Sequence, residues 1–227
     1  MRTALVTGAS GAIGGVIADQ LEAAGMQVVR HCNSNLPDKG FALRADLRLE
    51  PDIEALFLQT EERFGGVDVL VNNAGIALPQ QLITGTTTAE FDDLFAIDVR
   101  GLFLCCRRAL PHMVRQKFGR IVNISSIWGV RGASCEVAYS AAKAAVVGLT
   151  RALAQETAPS GVTVNCVAPG VIHTPMNAHL DLNQLASETP VGRIGTPEDV
   201  ARAVLFFADE RADFVTGQVL GVDGGFG

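Results

Sequence analysis

The sequence predicts an α/β domain built on a doubly wound parallel sheet, and three observations predict it. Six short runs rich in Val, Ile and Leu alternate with longer segments of helical period, as expected for strands buried on both faces and covered by helices. A glycine-rich turn follows the first run directly and opens a helical segment. The 227 residues are 48% hydrophobic and 19% charged, which suits one core and excludes a disordered chain or a solvated rod. A single domain over residues 1–227, with helices on both faces of the sheet, is therefore expected.

The strand runs fall at 3–6, 27–31, 41–45, 67–73, 120–125 and 162–168, and the helical segments at 12–24, 51–64, 88–117, 137–158 and 197–208. The last helix carries its own start signal: Thr196 as N-cap, Pro197 in the first position, and Glu198 and Asp199 in the first turn, while Gly25 follows the first helix. Only residues 33–40 join the second run to the third, whereas a right-handed crossover needs about a dozen. The crossover helix there is expected to be shortened or missing, its place taken by a loop.

Eighteen Lys and Arg against 24 Asp and Glu give a formal charge of -6, which opposes nucleic-acid or anionic-lipid partners. No apolar run approaches the roughly 20 residues of a membrane span, and the start of the chain lacks a secretory layout, so a cytoplasmic location is expected. The five cysteines are odd in number and form no C-x-x-C pair. His31, His112, His173 and His179 form no i, i+4 pair with a carboxylate between, and no metal is expected.

Thr7-Gly8-Ala9-Ser10-Gly11-Ala12-Ile13-Gly14 sits in the strand–turn–helix setting in which backbone N–H groups and a helix N-terminus receive a pyrophosphate. At the end of the second run, Arg30-His31-Cys32-Asn33-Ser34 holds no acid to bond a ribose 2′-hydroxyl, which favours NADP over NAD. Asp46 is placed either to accept from an adenine amino group or to cap a helix. The chain's single tyrosine, Tyr139, precedes Lys143 by four residues, so that on a helix both side chains share one face. An ammonium nearby favours the phenolate, which predicts a lowered Tyr139 pKa suited to proton transfer.

With TGASGAIG, Asn72-Asn73-Ala74-Gly75, Ser126, Tyr139-Ser140-Ala141-Ala142-Lys143 and Pro169-Gly170-Val171-Ile172-His173-Thr174 read together, the whole chain resembles the short-chain dehydrogenase/reductase family, a Rossmann fold. PVGRIGTPEDVA and GQVLGVDGGF are similar to the branch that includes 3-oxoacyl-acyl-carrier-protein reductases. The resemblance implies Tyr139 as general acid, Ser126 as the donor that orients the carbonyl, and Lys143 as the ribose binder that tunes Tyr139. It implies that Gly8, Gly11 and Gly14 cradle the pyrophosphate, with Ser10 and Ile13 in the same turn. Asn33, Asp46 and Leu47 are carried over as further cofactor-binding positions. Asn72, Ala74 and Gly75 line the cleft, and Pro169, Gly170, Ile172 and Thr174 lie toward the nicotinamide. Asp98 stands where the family has an asparagine that holds a relay water, so the relay is expected to survive with altered pH dependence. Ala12 replaces a family glycine.

The segment 127–137 lies between Ser126 and Tyr139, borders the substrate and holds the single tryptophan, Trp128. SSIWG followed by GASCEV is similar to reductases of 5-aminopentanone on elongation factor P. Glu136 offers a carboxylate for the terminal ammonium of such a substrate, or else lies at a helix N-terminus for its dipole. A 3-oxoacyl group on acyl carrier protein is the other substrate in view, weakened by Ser160 where the family carries a docking arginine, though Lys117 keeps a second docking charge. A nucleotide-binding module without turnover is the reading from another class, and the intact Ser126, Tyr139 and Lys143 argue against it. The family also implies a homodimer or homotetramer paired through the long helices.

Overall fold

The computed structural model describes residues 1–177 and 180–226; His179 lies outside the described residues. Seven parallel strands form one sheet: β1 (Thr3–Val6), β2 (Gln27–Cys32), β3 (Phe41–Arg44), β4 (Val69–Asn72), β5 (Gly119–Ile124), β6 (Val162–Pro169) and β7 (Val219–Val222). Their spatial order is β3-β2-β1-β4-β5-β6-β7. Chain direction reverses across the sheet between β1 and β4, and the crevice at the carboxyl ends of those strands is where such sheets take ligands.

Two apolar layers hold the sheet. On one face α1 (Ala12–Ala23) and α8 (Pro197–Ala208) bury Ile17, Leu21, Val204 and Phe207 against Val6, Val71 and Val122. On the other, α2 (Glu50–Phe64), α4 (Leu102–Gln116) and α6 (Val137–Thr157) bury Phe57, Met113 and Val146 against Leu5, Leu70 and Val164. Strands that face two helix layers have no wet side, hence the unbroken apolar runs. α8 starts as its sequence signal requires: the Asp199 carboxylate accepts from the Thr196 N–H at 2.9 Å, with Pro197 in the first position.

Three parts of the architecture depart from the expectation. Residues 88–117 form two helices, α3 (Thr88–Phe95) and α4, joined by a π-helical turn over Ala96–Gly101. β7 lies in a Gly-rich stretch whose strand character the apolar pattern did not reveal. The short helices α5 (Ile127–Arg131) and α7 (Leu182–Glu188) are additional.

The missing crossover is confirmed. Residues 33–40 carry no helix, and β3 still pairs in parallel with β2, Val29 to Phe41 through Cys32 to Arg44. Eight residues span at most about 27 Å, enough to return along so short a strand. Under this loop Arg30 is 1% exposed and its guanidinium meets Asp19 at 2.8 Å and Glu22 at 2.7 Å, both on α1. A Cβ on Gly40, where φ is +74°, would lie 2.7 Å from the Arg30 Nε. The loop thus closes over the buried arginine at Gly40.

No helix among the described residues is long and apolar enough to cross a membrane. The orientation of α2 predicts a sharp contrast between adjacent residues, since Phe57 is buried and Leu58 is 50% exposed. Phe57→Ala should cost about 3–5 kcal/mol of unfolding free energy in urea, and Leu58→Ala no more than about 0.5 kcal/mol; similar losses at both would contradict this packing.

Candidate active site

The glycine-rich turn is fixed from behind by hydrogen bonds. Gly8 adopts φ +67°, and its N–H donates to His31 Nδ1 at 3.2 Å. His31 Nε2 lies 3.0 Å from the Ala45 carbonyl, so the ring bonds both ways only as the neutral tautomer carrying its proton on Nε2. Burial pushes the His31 pKa down, in keeping with that form, against the pull of the Ala45 carbonyl and Asp46. The Asn73 amide donates to the Thr7 and Gly8 carbonyls at 3.0 and 3.3 Å, and Thr7 Oγ1 accepts from the N–H groups of Asn73 and Ala74. A Cβ at Gly14 would meet the Gly8 carbonyl oxygen at 2.4 Å, so only glycine lets α1 start this close to the turn. Ala12 is the first residue of the helix, where its methyl group is compatible with the backbone.

The N-terminus of α1 is open. Gly11 is its N-cap, no side chain caps it, and no acid lies in its first turn, while Ser10, Gly11 and Ala12 are exposed and Ile13 half-buried. At the end of β2, Asn33 is exposed and its carbonyl accepts from Arg44 Nε at 2.7 Å. Arg44 pairs in register with Cys32, so the sheet brings its guanidinium to the end of β2. The local sequence around 30–34 did not reveal this neighbour, which comes from the next strand.

One cofactor position, Asn72, and one capping alternative, Asp46, are corrected. Asn72 is only 2% exposed; its amide donates to Asn123 Oδ1 at 2.9 Å and to Cys106 Sγ, inside the α4 side of the core. Strand alternation turns the next residue the other way, and Asn73 reaches the turn instead. Asp46 is not the N-cap of α2, which is Leu49. Its carboxylate accepts the Arg48 N–H and the Arg48 guanidinium, and these bonds hold its pKa below the usual carboxylate range. Leu47 is buried beneath Gly101, whose Cβ would lie 2.9 Å from the Leu47 carbonyl.

At the carboxyl ends of β5 and β6, Ser126, Tyr139 and Lys143 converge. Ser126 is the N-cap of α5, and its Oγ accepts from the Trp128 N–H at 3.2 Å. α5 lies directly on α6 because residue 129 is glycine: a Cβ there would sit 2.6 Å from the Lys143 backbone. Tyr139 and Lys143 share one face of α6, with Nζ 5.5 Å from the centre of the phenol ring. Gly75 closes the site from β4, where a Cβ would meet Asp98 Oδ2 at 2.8 Å and Lys143 Nζ at 3.0 Å. Pro169 ends β6 and Gly170 brings the chain round, its N–H bonding the Val222 carbonyl, to a buried Ile172 and a half-buried Thr174.

The expected fall in the Tyr139 pKa is overturned. Burial pushes the phenol up; Lys143 and the Ser126 hydroxyl pull it down, but Asp98 and Glu136 push with the burial. Lys143 Nζ lies 2.9 Å from Asp98 Oδ2, an ion pair hidden from solvent on both sides. The i, i+4 spacing could not disclose it, because Asp98 arrives on the π-helical turn. Of the substrate positions, Trp128 is half-buried with its ring edge-on to Phe226 at 6.0 Å. Glu136 is the N-cap residue of α6, and its carboxylate accepts from Gln80 Nε2 at 2.8 Å. Lys117 and Ser160 lie just before β5 and β6, at the opposite end of the sheet from Tyr139.

A family model described as enoyl-(acyl carrier protein) reductase matches residues 8–227. The 3-oxoacyl-[acyl-carrier-protein] reductase FabG of Staphylococcus aureus is 38% identical over an alignment of 240 positions, covering 99% of this chain and 97% of that protein. The (2S)-[(R)-hydroxy(phenyl)methyl]succinyl-CoA dehydrogenase subunit BbsD of Thauera aromatica is 46% identical over 184 positions, 80% of this chain and 73% of that protein. The solved structure of ElxO with NADP bound superposes with a TM-score of 0.92 at 32% identity, covering 99% of this chain and 98% of that one.

The geometry of the turn yields a paired test. Gly14→Ala should lower the unfolding free energy by about 1–3 kcal/mol through the clash with the Gly8 carbonyl. Gly15→Ala, whose Cβ would lie an ordinary 3.4 Å from the Ala9 carbonyl, should keep the stability of the native chain or raise it by up to about 1 kcal/mol in the same thermal melts.

Proposed function

The chain belongs to the short-chain dehydrogenase/reductase family of oxidoreductases, and from that premise we propose that it is an NADPH-dependent ketoreductase that converts a ketone to a secondary alcohol. The observation that carries the reading is the meeting of Ser126, Tyr139 and Lys143 beside an uncapped helix N-terminus at the carboxyl edge of the sheet. The residues present fit a dinucleotide. The open first turn of α1 suits a pyrophosphate, and the end of β2 offers Asn33, Ser34 and the Arg44 guanidinium, which forms no ion pair with an acid among the described residues and suits a 2′-phosphate. NAD is the less favoured cofactor on the same electrostatic ground.

In this reading Ser126 Oγ, already accepting from the Trp128 N–H, turns its own hydrogen to the substrate carbonyl oxygen. Tyr139 gives its phenolic proton to that oxygen as charge develops there, so both donors act on the forming alkoxide. When bound, the nicotinamide supplies the hydride. Lys143 is held by the Ile124 carbonyl at 3.4 Å and by Asp98, in position to bond the ribose hydroxyls. Gly8, Gly11, Gly14 and Asn73 shape the phosphate cradle, while Ile172 and Thr174 lie toward the nicotinamide end.

The substrate class we favour is an acyl chain whose β-ketone is carried as a thioester, on acyl carrier protein or coenzyme A. Similarity to an acyl-carrier-protein reductase over nearly the full length, and to a CoA-substrate dehydrogenase over 80% of this chain, supports it. Glu136, the residue that pointed to an aminopentanone on elongation factor P, already has the Gln80 amide as its partner. Half-exposed Phe103 and Val114 on α4 and exposed Ala141, Ala144 and Gly148 on α6 give those helices a face suited to pairing with a second copy. All five cysteines are free thiols, four of them buried, which suits a reducing, cytoplasmic setting.

NADPH oxidation with a short β-ketoacyl thioester tests the reading. Tyr139→Phe should lower kcat by about 10²–10⁴-fold while NADPH titrated by fluorescence binds within about twofold of the native chain. An unimpaired rate would remove Tyr139 from the chemistry. Arg44→Gln should raise KM for NADPH by about tenfold and leave that for NADH unchanged; equal effects on both would place the 2′-phosphate elsewhere.

A further inference from the structure

Asp98 is 1% exposed and Lys143 is 5% exposed, so this pair is buried in full. The two carboxylate oxygens are divided between two tasks. Oδ1 accepts from the Ile76 N–H at 2.9 Å, tying the π-helical turn to the loop after β4. Oδ2 faces the Lys143 ammonium at 2.9 Å and has no other hydrogen-bond partner. Two features of the fold bring the pair together. The π-helical turn, a device often found at functional sites, carries the carboxylate in from the α3–α4 segment, and Gly75 leaves the space in which the two groups meet.

We infer that Asp98 is a positioning residue that acts through Lys143: its carboxylate cancels the pull of the ammonium on the Tyr139 phenol and so keeps the site in the proton-donating form that ketone reduction requires. An isolated ammonium 5.5 Å from the ring would stabilise the phenolate. Paired with a carboxylate, it presents a dipole whose field at the phenol is much weaker. The charged and titratable groups that face Tyr139 are Lys143 and Glu136 from α6 and its N-cap, Asp98 from the π-helical turn, and the Ser126 hydroxyl from the β5–α5 junction. Lys143 is in turn faced by Asp98, Tyr139 and the Cys166 thiol of β6. Burial of the phenol and the two carboxylates act in one direction, and Lys143 and Ser126 in the other, with the net result that the phenol stays protonated above its ordinary range.

The sign gives the consequence. A phenol with a raised pKa keeps its proton as pH rises, so the donor for reduction persists into alkaline solution. The phenolate that would accept a proton in alcohol oxidation forms only at still higher pH. Asp98 thus biases the site toward reduction. This directional consequence rests on Tyr139 being the proton donor; the ionisation of the phenol does not.

Tyr139 is the single tyrosine of the chain, so the ultraviolet tyrosinate absorbance of the protein without cofactor titrates this residue alone. Asp98→Asn keeps an oxygen for the Ile76 N–H and removes only the charge; Asp98→Ala removes the same charge should the first variant fail to fold. Either should lower the midpoint of the titration by about 1–2 pH units. A native phenol still protonated at a pH where the variant phenol has ionised already meets the expectation. The variant should also oxidise the alcohol about tenfold faster at neutral pH, with the alkaline limb of the reduction profile moved down to match. A midpoint that stays or rises in the folded variants overturns the inference. A lowered midpoint in a protein whose native form reduces no ketone upholds the inference and overturns the proposed function.

Discussion

The candidate site depends on one buried charge. Lys143 leaves water only because four separate parts of the chain meet its side chain: Asp98 on the π-helical turn, the Ile124 carbonyl at the end of β5, Gly75 after β4 and the phenol one turn back on α6. A buried ammonium without partners costs several kcal/mol, and these contacts together offset that cost. They also hold the pieces of the site in register. With Gly129 allowing α5 to rest on the backbone of the same residue, Ser126 takes its place relative to Tyr139 from the lysine as much as from the strand it follows.

This arrangement explains which parts were legible in the sequence. Interactions four residues apart on a helix, such as Tyr139 with Lys143, are visible as spacing. So was the strand–turn–helix setting of Gly8 to Gly14, and so was the lost crossover after β2, since chain length alone bounds what can be built. Less visible was anything that two distant segments decide together. Asp98 lies 45 residues from Lys143 in the chain, and its charge adds to burial in pushing the neighbouring phenol up, against Lys143. Asn72 and Asn73 are equivalent as letters; which one faces the cleft follows from the pleat of β4. Arg44 reached the end of β2 through sheet register. The helical period over 88–117 continues through the π-helical turn, since one extra residue per turn is too small a disturbance to interrupt an apolar pattern.

The glycine-rich turn teaches a related point. Its glycines explain why a ligand's phosphates can approach, but the shape of the turn is imposed by side chains outside the motif: His31 from β2, Thr7 at the strand end and Asn73 from β4. In the sequence His31 is a polar residue within the strand run 27–31. In the fold it is a two-sided link between Gly8 and Ala45 that works only as a neutral ring.

Beside the bare connection from β2 to β3, at one corner of the sheet, a buried charge takes part in the packing. At that corner Arg30 meets Asp19 and Glu22, and Lys39 joins Asp19 at 2.6 Å. The Asp19 carboxyl has its pKa drawn down by Lys39 and Arg30 against a partial burial that raises it. A carboxylate with a depressed pKa contributes stability above its unfolded pKa and loses that contribution as pH falls through the folded value. Acid therefore acts on this corner directly: as pH falls through the folded pKa of Asp19 its carboxylate is neutralised, and the charge that holds Arg30 and Lys39 against α1 is weakened.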